Sequence, residues 1–179
     1  MKSRFVWLGL LLSTILPAHA EEPAIRVGQP APEFALPDQH HQTIRLSDYR
    51  GHWVVLYFYP KDDTPGCTTE ACSFRDNINR LIAQKAVILG ISVDDVDSHQ
   101  AFTQKYDLPF PLLSDPEGHV AERYESLLNL WVVKFAKRHT FIIDPAGRIA
   151  KIYRDVTPEE HVATVLEDLK HLQQKTGGE

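Results

Sequence analysis

Two cysteines, Cys67 and Cys72, are the only thiols of the chain, and they stand five positions apart in one stretch, Thr64-Pro65-Gly66-Cys67-Thr68-Thr69-Glu70-Ala71-Cys72. An ionised thiol is a strong nucleophile, and two in one segment can pass between dithiol and disulfide. The run ahead of them, Trp53-Val54-Val55-Leu56-Tyr57-Phe58-Tyr59, is continuously apolar. It predicts a strand covered on both faces, as in a central parallel sheet. Pro60 ends that strand, and Asp62, Asp63, Pro65 and Gly66 favour a tight turn. Thr64 or Gly66 can cap a following helix, which places Cys67 in its first turn. Unpaired backbone N–H groups and the positive helix end favour a thiolate there. A greater thiolate fraction alone gains little, because nucleophilicity falls with proton affinity. The site must also stabilise the departing charge in the transition state. Thr64 offers a hydroxyl, the loop offers N–H groups, and a distant arginine can complete the set.

The spacing of the cysteines is itself informative. Five residues along an ideal helix separate two Cα atoms by roughly 8–9 Å, whereas a disulfide needs less than about 7 Å. Pairing therefore requires the first helical turns to unwind. The small ring so closed would contribute only about 2 kcal/mol, before the lost helix is counted. A permanent staple is a poor explanation of the pair. A reversible bond, formed after Cys67 is oxidised, fits better.

The motif resembles that of the atypical two-cysteine peroxiredoxins of the Q type, also called bacterioferritin-comigratory-protein-like. The likeness runs from about Val27 to Leu169. It includes Gly90-Ile91-Ser92-Val93-Asp94, His99 with Phe102, Lys105-Tyr106-Asp107-Leu108-Pro109-Phe110-Pro111-Leu112-Leu113-Ser114-Asp115, and Arg138 ahead of Thr140-Phe141-Ile142-Ile143-Asp144. The resemblance implies an α/β thioredoxin-like fold with a central mixed sheet, flanking helices and an extra N-terminal hairpin. It implies a thiol peroxidase without metal, haem or flavin. In it Cys67 attacks peroxide and Cys72 resolves the sulfenic acid. Thr64, the Cys67 N–H and Arg138 hold the oxygens, with Pro60, Pro65, Gly66 and Glu70 in support. A thioredoxin-like dithiol protein would recycle the enzyme. Without the resemblance, Arg138 is a basic strand flank like Lys134 and Lys137. An always-charged planar fork nevertheless suits two oxygens and a thiolate better than lysine. Glu70 has two readings, a first-turn acid favoured by the helix dipole or the group that holds Arg138. It cannot itself help ionise the thiol.

The other elements must position these groups. Lys2 and Arg4 precede an apolar run from Phe5 to Leu16 and then Pro17-Ala18-His19-Ala20. This predicts a secretory signal over residues 1–20, an uncleaved anchor being the alternative. The run is shorter than the roughly 20 residues of a spanning helix. Residues 21–179 then form one domain, exported and most simply periplasmic. The formal charge of −5, about −7 without the leader, argues against nucleic acid as a partner. Glu21 to Gly28 reads as a mobile lead. Phe34-Ala35-Leu36 and Thr43-Ile44-Arg45-Leu46 read as a hairpin, with His40 and His41 as solvated turn residues. Ser47 to Gly51 reads as a short helical turn. The cysteine helix is expected to run to about Gln84, with Phe74, Ile78, Leu81 and Ile82 on its buried face. Residues 86–93 form a second buried strand, and a helix follows from about Ser98 to Tyr106, in which His99 is a helix-start residue. A short extended piece over Phe110–Leu113 and a short helix over Glu117–Tyr124 come next. Residues 140–144 and 148–153 pair as an antiparallel hairpin. Thr157, Pro158 and Glu160 open the last helix, which buries Val162, Val165, Leu166 and Leu169.

Residues 125–137 depart from the family pattern. Leu127, Leu128, Leu130, Trp131, Val132, Val133 and Phe135 stand where a longer Gly- and Lys-containing loop is usual. The segment is expected to pack down as core or helix. The alternative is an exposed apolar patch that meets the reductant or a membrane surface, through Leu127, Leu130, Trp131 and Phe135. A monomer is the default. Two rival functions stay open: a thiol–disulfide oxidoreductase of thioredoxin fold, which lacks its usual Cys-x-x-Cys here, and a non-catalytic secreted domain with a structural disulfide.

Overall fold

The computed structural model describes residues 24–176. The expected leader and the Gly177-Gly178 end lie outside the described residues. In chain order, β1 (Ala35–Pro37) and β2 (Thr43–Arg45) make a small hairpin, and a 3-10 turn covers Leu46–Tyr49. β3 (Trp53–Phe58) leads into α1 (Pro65–Asp76) and α2 (Ile78–Ala83). β4 (Ala86–Ser92), α3 (Val96–Tyr106), β5 (Leu112–Ser114) and α4 (His119–Arg123) follow. β6 (Leu127–Asn129) and β7 (Lys134–Ala136) form a second hairpin; β8 (His139–Ile143), β9 (Ile149–Tyr153) and α5 (Pro158–Thr176) complete the fold.

Five strands build the central sheet in the order β5-β4-β3-β8-β9. β4 runs parallel to β3 and β5, and β8 runs antiparallel to β3 and β9. The expected mixed sheet with flanking helices and an N-terminal hairpin is therefore present.

β3 is central, and its period of two explains why no polar residue occurs in it. Val55, Tyr57 and Tyr59 join the core shared with Ala71 and Phe74 of α1, Phe102 of α3, and Val162, Val165, Leu166 and Leu169 of α5. Val54, Leu56 and Phe58 join the opposite core with Phe34, Leu46, Val120, Ala121 and Tyr124. Each fully buried valine, leucine or phenylalanine among them contributes about 1.5–3 kcal/mol. Gly90 pairs with Tyr57 across β3 and β4. A Cβ at Gly90 would stand 2.8 Å from the Tyr57 hydroxyl, so glycine is what lets the phenol ring lie across β4.

Four expectations need correction. The cysteine helix does not run unbroken to Gln84. It breaks at Asn77 (φ −106°, ψ 8°), whose side-chain Nδ2 donates to Ser73 O at 3.0 Å and competes with the helical ladder. The break turns Ile82 outward, 61% exposed, while Phe74 and Leu81 stay fully buried. The lead is not loose from Ile25 onward: Ile25 N–H donates to Glu125 Oε1 (3.0 Å), Gly28 N–H to Ile149 O (2.7 Å) and Ala31 N–H to Gly147 O (2.9 Å). His99 is not merely a helix-start residue but has no exposed surface. Residues 125–137 are neither core nor helix as a whole. They form the β6–β7 hairpin, anchored by buried Ala136, with Leu130, Trp131, Val132 and Val133 projecting from its tip. A two-stranded hairpin has too little interior to bury its own turn.

Candidate active site

β3 delivers the chain into the loop Tyr59–Thr64, and α1 opens at Pro65. Thr64 is the N-cap by its backbone (φ −88°, ψ 150°), but its hydroxyl makes no cap bond. It donates instead to Lys61 O at 3.0 Å. With its proton so used, Thr64 Oγ1 offers lone pairs to a hydrogen on an incoming oxygen. Pro65 is the first helical residue, where a missing N–H costs nothing. Pro65 is exposed, and Pro60 is half-buried behind the loop. The first helical bond at this end runs from Thr68 N–H to Thr64 O (2.9 Å), which leaves the Gly66 and Cys67 N–H groups without a helical acceptor.

Cys67 is buried, 2% exposed, and Cys72 is partly exposed; both are free thiols. Arg138 lies in the connection between β7 and β8 and reaches the cysteine helix. Its Nη2 donates to Cys67 Sγ at 3.2 Å, and its Nη1 donates to Glu70 Oε2. Of the two readings of Glu70, the one in which it holds Arg138 is the one the geometry favours. Glu70 has no exposed surface, and its Oε1 is buried without a hydrogen-bond partner. Burial pushes the Glu70 carboxyl up to about 7, and the Arg138 guanidinium offsets only part of that. Gly66 supplies the room: a Cβ there would stand 3.2 Å from Arg138 Nη2.

Thus Thr64, Gly66, Cys67, Glu70 and Arg138 come together, with the Gly66 and Cys67 N–H groups at the positive end of α1. The arrangement can polarise a small oxygen compound beside a sulfur nucleophile. Cys72 sits further along α1, so the two sulfurs meet only if the helix opens.

Two histidines near the site have buried roles that the sequence did not reveal: His99, expected only as a helix-start residue, and His161. His99 Nδ1 lies 2.8 Å from Asp62 Oδ2. A period-3.6 stripe with Phe102 and Tyr106 was the available sign that it faces inward. His161 of α5 sets its ring edge-on to Phe74 and Tyr153, with Nε2 2.8 Å from Thr140 Oγ1. Burial, and then the Arg138 charge, pull it down to about 4. With His161 neutral at neutral pH, Arg138 is the cation among the described residues that touches Cys67 Sγ. Among the described residues, no group of three or more His, Cys, Asp or Glu is placed to hold a metal ion.

Known proteins resemble this chain in sequence and fold. The AhpC/TSA family profile matches residues 27–152. The chain is 45% identical over 159 residues to peroxiredoxin Bcp of Bacillus subtilis, covering 84% of this chain and 99% of that protein. It is 48% identical over 147 residues to a putative peroxiredoxin bcp of Coxiella burnetii, covering 80% and 97%. Among solved structures, peroxidoxin BcpB of Mycobacterium tuberculosis superposes with a TM-score of 0.78 at 34% identity, covering 82% of this chain and 97% of that one. Peroxiredoxin Q of Xylella fastidiosa gives 0.77 at 33%, covering 83% and 98%. With the thioredoxin-like fold and the cysteine–arginine contact already in hand, these likenesses lead to one conclusion: the chain belongs to the AhpC/TSA family and is a thiol-dependent peroxidase of the Bcp and peroxiredoxin Q kind.

Proposed function

We propose that Cys67 is the peroxide-attacking sulfur and Cys72 its resolving partner. The observation that carries this is the Arg138 guanidinium, held by buried Glu70 on one nitrogen and touching Cys67 Sγ with another. The thiolate attacks the terminal oxygen of a hydroperoxide. The S–O bond forms as the O–O bond breaks, and the alkoxide or hydroxide leaves and takes a proton, giving an alcohol or water. Arg138, the Cys67 N–H and Thr64 Oγ1 surround the oxygens through this step. Cys72 then attacks the sulfenic sulfur once the first turns of α1 open. An S–S bond forms, and water leaves. A thioredoxin-like dithiol protein reduces the disulfide.

The exposed β6–β7 tip is the surface we assign to that reductant. Trp131 and Val132 are 101% and 91% exposed, and the strand leaving the tip runs through β7 into Arg138. Aromatic and aliphatic side chains standing clear of the body suit a protein partner. The basic and apolar start of the sequence supports export to the periplasm.

Stopped-flow mixing of the reduced protein with hydrogen peroxide tests the assignment. One equivalent should be consumed rapidly, and Cys67→Ser should abolish this. Cys72→Ser should keep the first turnover and accumulate sulfenic acid. Consumption no faster than that of a free thiol would refute the role of Cys67, and undiminished multi-turnover activity in Cys72→Ser would refute that of Cys72.

A further inference from the structure

The loop that carries Thr64 is fastened to α3 by a buried hub. The Asp62 carboxylate accepts three side-chain hydrogen bonds: Tyr59 Oη at 2.7 Å, Ser98 Oγ at 2.7 Å and His99 Nδ1 at 2.8 Å. A carboxylate only accepts, so Nδ1 carries the proton in the last of these. The Asp62 N–H donates to Asp94 Oδ2 at 2.8 Å, and that oxygen also accepts from Ser92 Oγ at 2.8 Å. The His99 side chain has no exposed surface, and that of Asp62 is 4% exposed. Buried carboxylates with three donors and a paired backbone leave no slack.

The fastening ends where the chemistry begins. Asp62 N and Lys61 O belong to the same peptide group, so holding one fixes the other. Lys61 O is the acceptor that sets the Thr64 hydroxyl. Asp63, in the left-handed region (φ 55°), is tied to α3 as well, through Lys105 Nζ (2.6 Å) and Tyr106 Oη (2.6 Å). α1 packs chiefly on α5, and its far end meets α3 as well, where Arg75 Nη1 donates to Tyr106 O at 2.7 Å. The loop is therefore bolted to α3 through Asp62 and Asp63, whereas the α3 hydrogen bond of α1 lies at its far end, away from the first turns that must open.

We propose that Asp62 and His99 are positioning residues. They hold the Lys61–Asp62 peptide so that Thr64 stays aimed at the oxygens while α1 opens and closes. The inference rests on Cys67 being the peroxide-attacking sulfur.

The test uses the full chain in a Cys72→Ser background, where Cys67 is the sole thiol. Two rates are read: single-turnover oxidation by hydrogen peroxide, and alkylation of Cys67 by iodoacetamide across pH 5–9. His99→Leu should slow peroxide about tenfold and leave the alkylation profile in place, because Arg138 and Glu70 are untouched. His99→Asn, which can still donate to Asp62, should stay within about threefold of the parent. Ser98→Ala, less buried and so less disruptive to folding, should slow peroxide by roughly threefold. A peroxide rate within twofold of the parent in either His99→Leu or Ser98→Ala overturns the proposal. So does an equal fall in peroxide and alkylation rates, which marks a merely structural role. His99→Asn as slow as His99→Leu overturns it too. A parent that reacts no faster than a free thiol sinks the Cys67 assignment and this one with it, whereas a fast parent with a fast His99→Leu sinks only this one.

Discussion

Gly66 and Arg138 are fitted to one another: a Cβ on Gly66 would stand 3.2 Å from Arg138 Nη2, the same nitrogen that reaches Cys67 Sγ. Arg138 cannot simply back away, because Nη1 is held by buried Glu70. Gly66→Ala should therefore separate stability from rate. Gly66 is helical, so alanine should hold or raise stability by up to about 0.5–1 kcal/mol. Peroxide reduction should fall about tenfold. Denaturant titration and stopped-flow kinetics on the same preparation read the two effects; an unchanged rate would show that the guanidinium has room to spare.

Arg138 binds two partners with two nitrogens of one rigid plane. Arg138→Lys keeps the charge and loses the fork, so the ammonium can serve Glu70 or the sulfur but not both in this geometry. The second-order rate with hydrogen peroxide should drop on the order of 10²-fold. A loss of less than threefold would mean that charge alone is sufficient.

Glu70 should leave a mark on the pH dependence of stability. Its ordinary value of 4.5 is raised by burial to about 7 in the folded protein. The folded chain therefore holds this proton more tightly than the unfolded chain does. The resulting stabilisation is fully present below about pH 4.5 and is lost as pH rises through about 7. Its size is at most about 3 kcal/mol. Glu70→Gln cannot titrate, so the parent's stability relative to this variant should be greater at pH 5 than at pH 7.5. Urea unfolding at the two pH values measures it. A constant or reversed difference would show that the ion pair with Arg138 keeps the carboxyl ionised throughout.

At the hairpin tip, Trp131 is fully exposed and makes no part of the core. Trp131→Glu should leave the single-turnover peroxide reaction unchanged and slow recycling by the natural dithiol reductant at least fivefold, as removal of an aromatic anchor does at other interfaces. Equal slowing of both reactions, or of neither, would remove the tip from the docking surface.

Much of this protein is local in origin and so was legible in the chain. The strand Trp53–Phe58 announces itself because a strand buried on both faces has no polar alternate positions. The loop and helix start follow from proline, glycine and threonine chemistry, and Cys67 falls in the first turn as their spacing requires. The barrier between Cys67 and Cys72 is likewise a consequence of helical rise. What depends on distant segments was decided only in three dimensions. Whether Glu70 serves the helix dipole or holds an arginine depends on the connection from β7 to β8 bringing Arg138 across the start of α1, 68 positions away in the chain. The break at Asn77 depends on a side chain outcompeting the ladder, a contest between energies of similar size. His99 has the same residue type on a surface as in a core; only the packing of α3 against the catalytic loop gave it a buried carboxylate. The β6–β7 tip carries an apolar pattern fit for a core, yet short strands offered nothing for it to pack against. Periodicity and turn chemistry act within a few residues, whereas pairing of charges and exclusion of water are settled by which surfaces the fold brings face to face.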